Sequence, residues 1–159
     1  VKDDRPAGLV RSAAGDALTE LVMRVFRLNG LFLNAAEGIA RTSGLTPARW
    51  QVLGAVLREP RTVSGIARVM GLTRQSVQRL ADALVADGMA EYVSNPAHRR
   101  AKLLRPTRAG WDAIEILRPR QYAWTHEVTA EIGADELRTA VAMLDRVIAA
   151  TEGGATPEE

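Results

Sequence analysis

Between Thr62 and Tyr92 the chain runs TVSGIARVMGLTRQSVQRLADALVADGMAEY, and the glycine at position 71 limits its fold more than any other residue. Before it, Thr62 is a good N-cap, and Val63, Ile66, Ala67 and Met70 recur at helical spacing. Gly71 permits a tight turn, which Leu72 is expected to plug. Thr73 then caps a second helix with Val77, Leu80 and Leu84 facing inward, and Gly88 stops it. Glu91–Val93 has strand character, Asn95-Pro96 opens a loop, and Ala101–Leu104 is the expected return strand. Helix, tight turn, helix and hairpin in that order describe a winged helix-turn-helix. Such a unit lays its second helix in the major groove of duplex DNA and its β-loop against the flanking backbone.

The flanks are helical. Leu18, Leu21, Val25, Leu28, Phe32, Ala35 and Ile39 form one stripe of alternating three- and four-residue steps after Asp16. Val22, Phe26, Leu31 and Leu33 add apolar surface on other sides, so this helix needs more than one neighbour to cover it. Thr46-Pro47 starts a helix expected to reach about Arg58, with Trp50, Leu53, Val56 and Leu57 inward and Gly54 weakening its middle. Thr107 caps a long helix that Pro119 should kink or interrupt. A last helix, about Asp135 to Ala150, aligns Leu137, Val141, Leu144 and Ile148. The expected class is therefore mainly α with a small β-hairpin: a winged helix-turn-helix plus N- and C-terminal dimerisation helices. The expected divisions are a flexible arm at 1–15, a dimerisation helix at 16–44, the winged lobe at 45–106, C-terminal dimerisation helices at 107–151 and a disordered tail at 152–159.

Composition narrows the function. With no cysteine, disulfides, thiolate redox chemistry and Cys-based zinc sites are excluded, and two histidines are too few for a His-rich metal cluster. Aromatic residues are 4% of the chain, which disfavours an aromatic platform for single strands or RNA. No apolar run approaches the ~20 residues of a membrane span and no signal-peptide pattern opens the chain, so a cytoplasmic location is expected. Neither a metal nor a cofactor is expected. Residues 60–110 hold nine basic and three acidic side chains, whereas residues 111–159 hold four basic and ten acidic. A basic middle before an acidic flank suits one lobe that faces phosphate and one that does not.

On the second helix, Thr73, Arg74, Gln75, Ser76, Gln78 and Arg79 occupy the first two turns, away from the inward stripe, with Asp82 beyond them. Arginine bonds guanine O6 and N7 together, glutamine does the same to adenine, and serine reaches a base or a phosphate. The loop AHRRAK supplies His98, Arg99, Arg100 and Lys102, suited to tracking phosphates or entering a narrow minor groove. Thr62, Ser64 and Arg68 are candidate backbone contacts, although plain helix capping explains Thr62 equally well. Trp50 and Trp111 are weak candidates for lining a ligand pocket, since tryptophan is more often core.

These segments resemble the multiple-antibiotic-resistance regulator (MarR) family. The likeness covers roughly Leu18 to Ala150 and is carried by LTPARWQVLGAV at Leu45–Val56, GLTRQSVQRLADALVADGMAEY at Gly71–Tyr92 and NPAHRRAKLLRPTRAG at Asn95–Gly110. The family's wing usually reads D-x-R, its arginine inserted in the minor groove and oriented by the aspartate. The resemblance gives Arg100 that role and puts His98 in the acidic position, where a neutral imidazole accepts a hydrogen bond without charge assistance. It further implies a homodimer on a pseudo-palindromic double-stranded DNA operator, and a small, often aromatic effector that releases it from DNA. Repression is the expected outcome.

Other classes have less to stand on. There is no Gly-rich phosphate loop and no G-x-S-x-G, and His126-Glu127 lacks a zinc-protease spacing, so an enzyme is not expected. A winged-helix module that binds protein, and a constitutive DNA binder without an inducer, remain as alternatives.

Overall fold

The computed structural model describes residues 12–154. In chain order these form α1 (Ala13–Ala40), α2 (Pro47–Gly54), β1 (Arg61–Thr62), α3 (Val63–Met70), α4 (Arg74–Ala86), β2 (Ala90–Val93), β3 (Leu103–Pro106), α5 (Arg108–Thr129) and α6 (Ala134–Gly153). The chain divides into two compact units, with the boundary inside α5 between Ile114 and Glu115. Most of the expected arm and tail lies outside the described residues. Where the two regions overlap, helix replaces coil: Ser12 caps α1, its hydroxyl accepting from Gly15 N–H at 3.0 Å, and α6 continues to Gly153.

The first unit holds the helix-turn-helix. Thr62 Oγ1 caps α3 by accepting from Gly65 N–H, and Thr73 Oγ1 caps α4 by accepting from Ser76 N–H. Gly71 ends α3 with φ +62°, a left-handed conformation in which a side chain is strained. Leu72 N–H then bonds Ala67 O, which closes the turn. Leu72 does not plug it: its side chain is exposed. The core combines Leu53 from α2, Ile66 from α3, Val77, Ala81 and Leu84 from α4, and Leu104 from β3, all inaccessible to solvent. Full burial of a leucine or isoleucine contributes roughly 1.5–3 kcal/mol. Ala81 takes the fully buried place expected of Leu80, which is half-buried.

Three boundaries differ from expectation. Helix α2 stops at Gly54, and the bonds from Val56 N–H to Leu53 O and Leu57 N–H to Gly54 O wind the chain into tighter turns. The sheet has three strands in the order β1-β3-β2, all antiparallel, because Arg61 and Thr62 pair with Leu104 and Leu103. The return strand begins at Leu103, which leaves Ala101 and Lys102 in the wing. In the second unit α5 runs unbroken through Pro119. The missing proline N–H frees a carbonyl at exposed Glu115, where water can satisfy it.

The sheet, α4 and the start of α5 meet at one peptide. Thr107 N–H donates to Met89 O at 3.1 Å and the Thr107 hydroxyl donates to Gly88 O at 2.6 Å. Gly110 is buried against the same carbonyl, and a Cβ there would overlap Met89 O. Gly110→Ala should therefore destabilise the fold by about 1–3 kcal/mol, as overpacking does. Urea unfolding measures this; an unchanged midpoint would show that the contact relaxes freely.

Candidate nucleic-acid interface

Helix α3 opens with Thr62, Val63 and Ser64; one turn of helix α4 separates Arg74 from Gln78; the wing ends in Arg100, Ala101 and Lys102. These residues, with Tyr92, line a single cleft of about 320 Å³ in the first unit. Small organic ligands favour mostly apolar linings. This lining instead carries three cations, hydroxyls and an amide, and no carboxylate. It suits a polyanion.

The other expected residues surround the cleft or lie apart from it. Gln75 and Arg79 are exposed on α4, and Arg68 is exposed in the last turn of α3. His98 and Arg99 are exposed at the wing tip. The tip is built from consecutive turns: Asn95 Oδ1 accepts from Ala97 N–H, Asn95 O from His98 N–H and His98 O from Ala101 N–H. The His98 imidazole makes no hydrogen bond to Arg100, so the wing arginine is not oriented by its neighbour in the free protein. Among the described residues Arg68, Arg74, Arg79, Arg99, Arg100 and Lys102 have no carboxylate partner. Scaffold arginines behave differently: Arg49 pairs with Asp87 across 2.7 Å and Arg105 with Glu91 across 2.8 Å.

Some predicted contacts have their hydrogen-bonding groups engaged within the protein. Thr73 spends its hydroxyl on capping and on a bond to Ser76 Oγ at 2.9 Å. Thr62 likewise caps α3. The amide of Gln78 is held in a triangle: Nε2 donates to Asp82 Oδ1 at 2.8 Å and to the Tyr92 hydroxyl at 2.7 Å, while that hydroxyl donates to Asp82 Oδ1 at 2.8 Å. Tyr92 escaped sequence reasoning. The Gln78–Asp82 spacing of four is visible on any helix, but a tyrosine fourteen residues from Gln78 has no sequence signal that ties it to either. Trp50 and Trp111 do not line the same cleft. Trp111 lines a separate cleft of about 490 Å³ with Val56, Leu57, Arg58 and Arg108, while half-buried Trp50 does not reach it.

The MarR-family sequence profile matches residues 43–101, the span from the start of α2 through the wing. The fold matches a mutant MarR from E. coli solved with operator DNA, with a TM-score of 0.68 and 22% identity over 86% of this chain and 99% of that one. The chain belongs to the MarR family. It is a MarR-type transcription regulator, and members of this class are not enzymes. Two curated relatives agree in extent. An uncharacterized protein of Mycobacterium tuberculosis is 36% identical over 85% of this chain and 94% of its own length. The transcriptional activatory protein BadR of Rhodopseudomonas palustris is 27% identical over 78% of this chain and 76% of its own. Among the described residues of this MarR-family chain, no helix is long and apolar enough to cross a membrane.

The triangle has a consequence for pH. Burial, then the hydrogen bond to Asp82 and its negative charge, push the Tyr92 phenol from 10.0 to about 12, against a smaller opposing effect of the Gln78 bond. A raised folded-state pKa means that the unfolded chain loses this proton first. The stability the phenol contributes is intact below pH 10 and lost as pH rises from 10 to 12. Unfolding titrations across that window should show a steeper loss for the native chain than for Tyr92→Phe; parallel curves would mean the phenol is not held.

Proposed function

We propose that the chain binds a pseudo-palindromic operator as a homodimer, with α4 in the major groove and the wing along the flanking backbone. The observation that carries this is the convergence of Arg74, Arg100 and Lys102 on one cleft without a carboxylate. Ser64 adds a hydroxyl at its rim, and the N-terminus of α4 adds free backbone N–H groups that favour phosphate. Arg79 and Gln75 extend the base-facing side of α4, Arg99 and His98 extend the wing, and Arg68 reaches the backbone beyond α3.

Exposed apolar helix faces support the dimer. Helix α1 buries Ile39 and Ala40 at its end yet exposes Leu18, Val25 and Leu28 of its stripe. Helix α6 buries nothing, although Leu137, Val141, Leu144 and Ile148 share one face. Apolar helix faces left open in a single chain fit a second copy, and twofold pairing is the commonest closed arrangement. The two recognition helices would then meet successive major grooves roughly 34–36 Å apart.

A bound dimer that covers a promoter represses it. The activatory name of BadR favours a second reading, in which the position of the operator turns the same contact into activation. Release by a small aromatic ligand is supported by Trp111, exposed in a cleft whose lining mixes Arg58 and Arg108 with Glu59 and Glu91. Such a ligand would act by favouring a spacing of the α4 pair that DNA does not accept.

Selection of bound duplexes from random DNA supplies the operator for the test. Arg74→Ala should cost about 1–3 kcal/mol and relax the preference at one base pair if Arg74 reads a base. Arg100→Ala should weaken operator binding; unchanged affinity would remove the wing from the interface. Sedimentation of the native chain should give twice its mass of 17.2 kDa, and a monomer would refute the dimer. Phenols and carboxylic acids are the compounds to screen for release.

A further inference from the structure

Glutamine on a recognition helix ordinarily pairs with adenine through both ends of its amide, accepting from N6 and donating to N7. Gln78 is not free to do so. The Asp82 carboxylate is acceptor-only, so the amide atom 2.8 Å from it is the nitrogen. The Tyr92 hydroxyl gives its one proton to Asp82, so towards Gln78 it can only accept. Both contacts fall on Nε2, whose two hydrogens are thereby engaged. Oε1 is left as the one amide group without a partner. Gln78 also lines the cleft beside Arg74, among the groups offered to a ligand there.

Resting on the DNA-binding reading above, we infer that Tyr92 and Asp82 hold Gln78 as an acceptor-only reader that selects bases with an exocyclic amino group in the major groove. Adenine N6 and cytosine N4 offer such a donor. Guanine presents O6 and N7 and thymine presents O4 and a methyl group, none of which can donate to Oε1. The position under Gln78 therefore accepts adenine or cytosine and rejects guanine and thymine. Tyr92 and Asp82 are positioning residues in this scheme and touch no base. Because Tyr92 stands on β2, the strand that leads into the wing, the readout is anchored to the sheet as well as to α4. The phenol stays protonated well above neutral pH, which keeps the donor to Asp82 in place.

The test is selection from random duplex DNA with the native chain, Gln78→Ala and Tyr92→Phe, followed by competition with duplexes that differ at one base pair. Gln78→Ala sits at a half-exposed helix position where alanine is favoured, and Tyr92→Phe keeps the ring, so both variants are expected to fold. The native chain should show one position per half-site where adenine and cytosine are each enriched over guanine and thymine by on the order of tenfold. Gln78→Ala should flatten that position alone. Tyr92→Phe should free one Nε2 hydrogen for N7 and turn the shared preference into one for adenine over cytosine, again by on the order of tenfold. A purely structural staple would instead lower affinity equally for every sequence. That result, a native preference for adenine alone, or a Gln78→Ala profile identical to the native one would overturn the inference while leaving DNA binding standing. A native chain that enriches no sequence would overturn both this inference and the function it rests on.

Discussion

Between Gly88 and Gly110 the chain leaves α4, forms the wing, and returns to the peptide where it left. Met89 O receives the Thr107 N–H, Gly88 O receives the Thr107 hydroxyl, and Gly110 packs where no Cβ fits. This junction fixes the start of β2 relative to the end of β3, and with it the register that places Glu91 opposite Arg105 and Tyr92 opposite Leu104. Leu104 then enters the core, and the alternate face carries Glu91 and Arg105 outward as an ion pair. Tyr92 arrives over α4 at the level of Gln78 and Asp82. The wing cations end beside α3 and α4 because the strands that bear them are anchored at the other end.

Charge is distributed to match that geometry. Exposed ion pairs add only about 0–1 kcal/mol each, so they matter here less for stability than for where they are absent. Arg49–Asp87 ties α2 to the end of α4, and Arg105–Glu91 spans β3 and β2, both away from the cleft. Around the cleft the cations stay unpaired. An arginine already bound to its own carboxylate would have to give up that partner on meeting a phosphate; Arg74 and Arg100 do not. Folding tolerates the arrangement because these side chains are exposed and therefore hydrated, with no burial of charge.

Much of this was legible in the sequence, and the limits have physical reasons. Thr62, Gly71 and Thr73 mark their helix boundaries because caps and left-handed turns depend on a few residue types in fixed positions. The long stripes of α1 and α6 announced apolar faces, and much of their length is exposed among the described residues. A two-residue strand such as β1 is too short to show alternation, so the third strand was missed, and with it the reason the return strand starts at Leu103. Leu72 and Leu80 look like core by hydrophobicity alone, yet helix packing gives full burial to small Ala81. The nine residues between β2 and β3 hold their turns through Asn95, but nothing local reports that Tyr92 reaches Gln78. The sequence offers candidate site residues only as a set of types and places. Which of their atoms remain available, after caps and internal bonds are satisfied, is decided by contacts distant in sequence.

Family membership and geometry meet at the unpaired cations beside α4, whose role as a phosphate-facing surface is the central claim. The dependence of operator affinity on salt tests it most directly. Each phosphate neutralised releases condensed counterions and adds roughly −0.9 to the slope of log K against log salt concentration. A dimer using its wing and α3–α4 cations should show a steep negative slope, reduced by about one for every phosphate-facing cation removed from the duplex contact. A slope near zero, unchanged when Arg100 and Lys102 are replaced, would contradict the account.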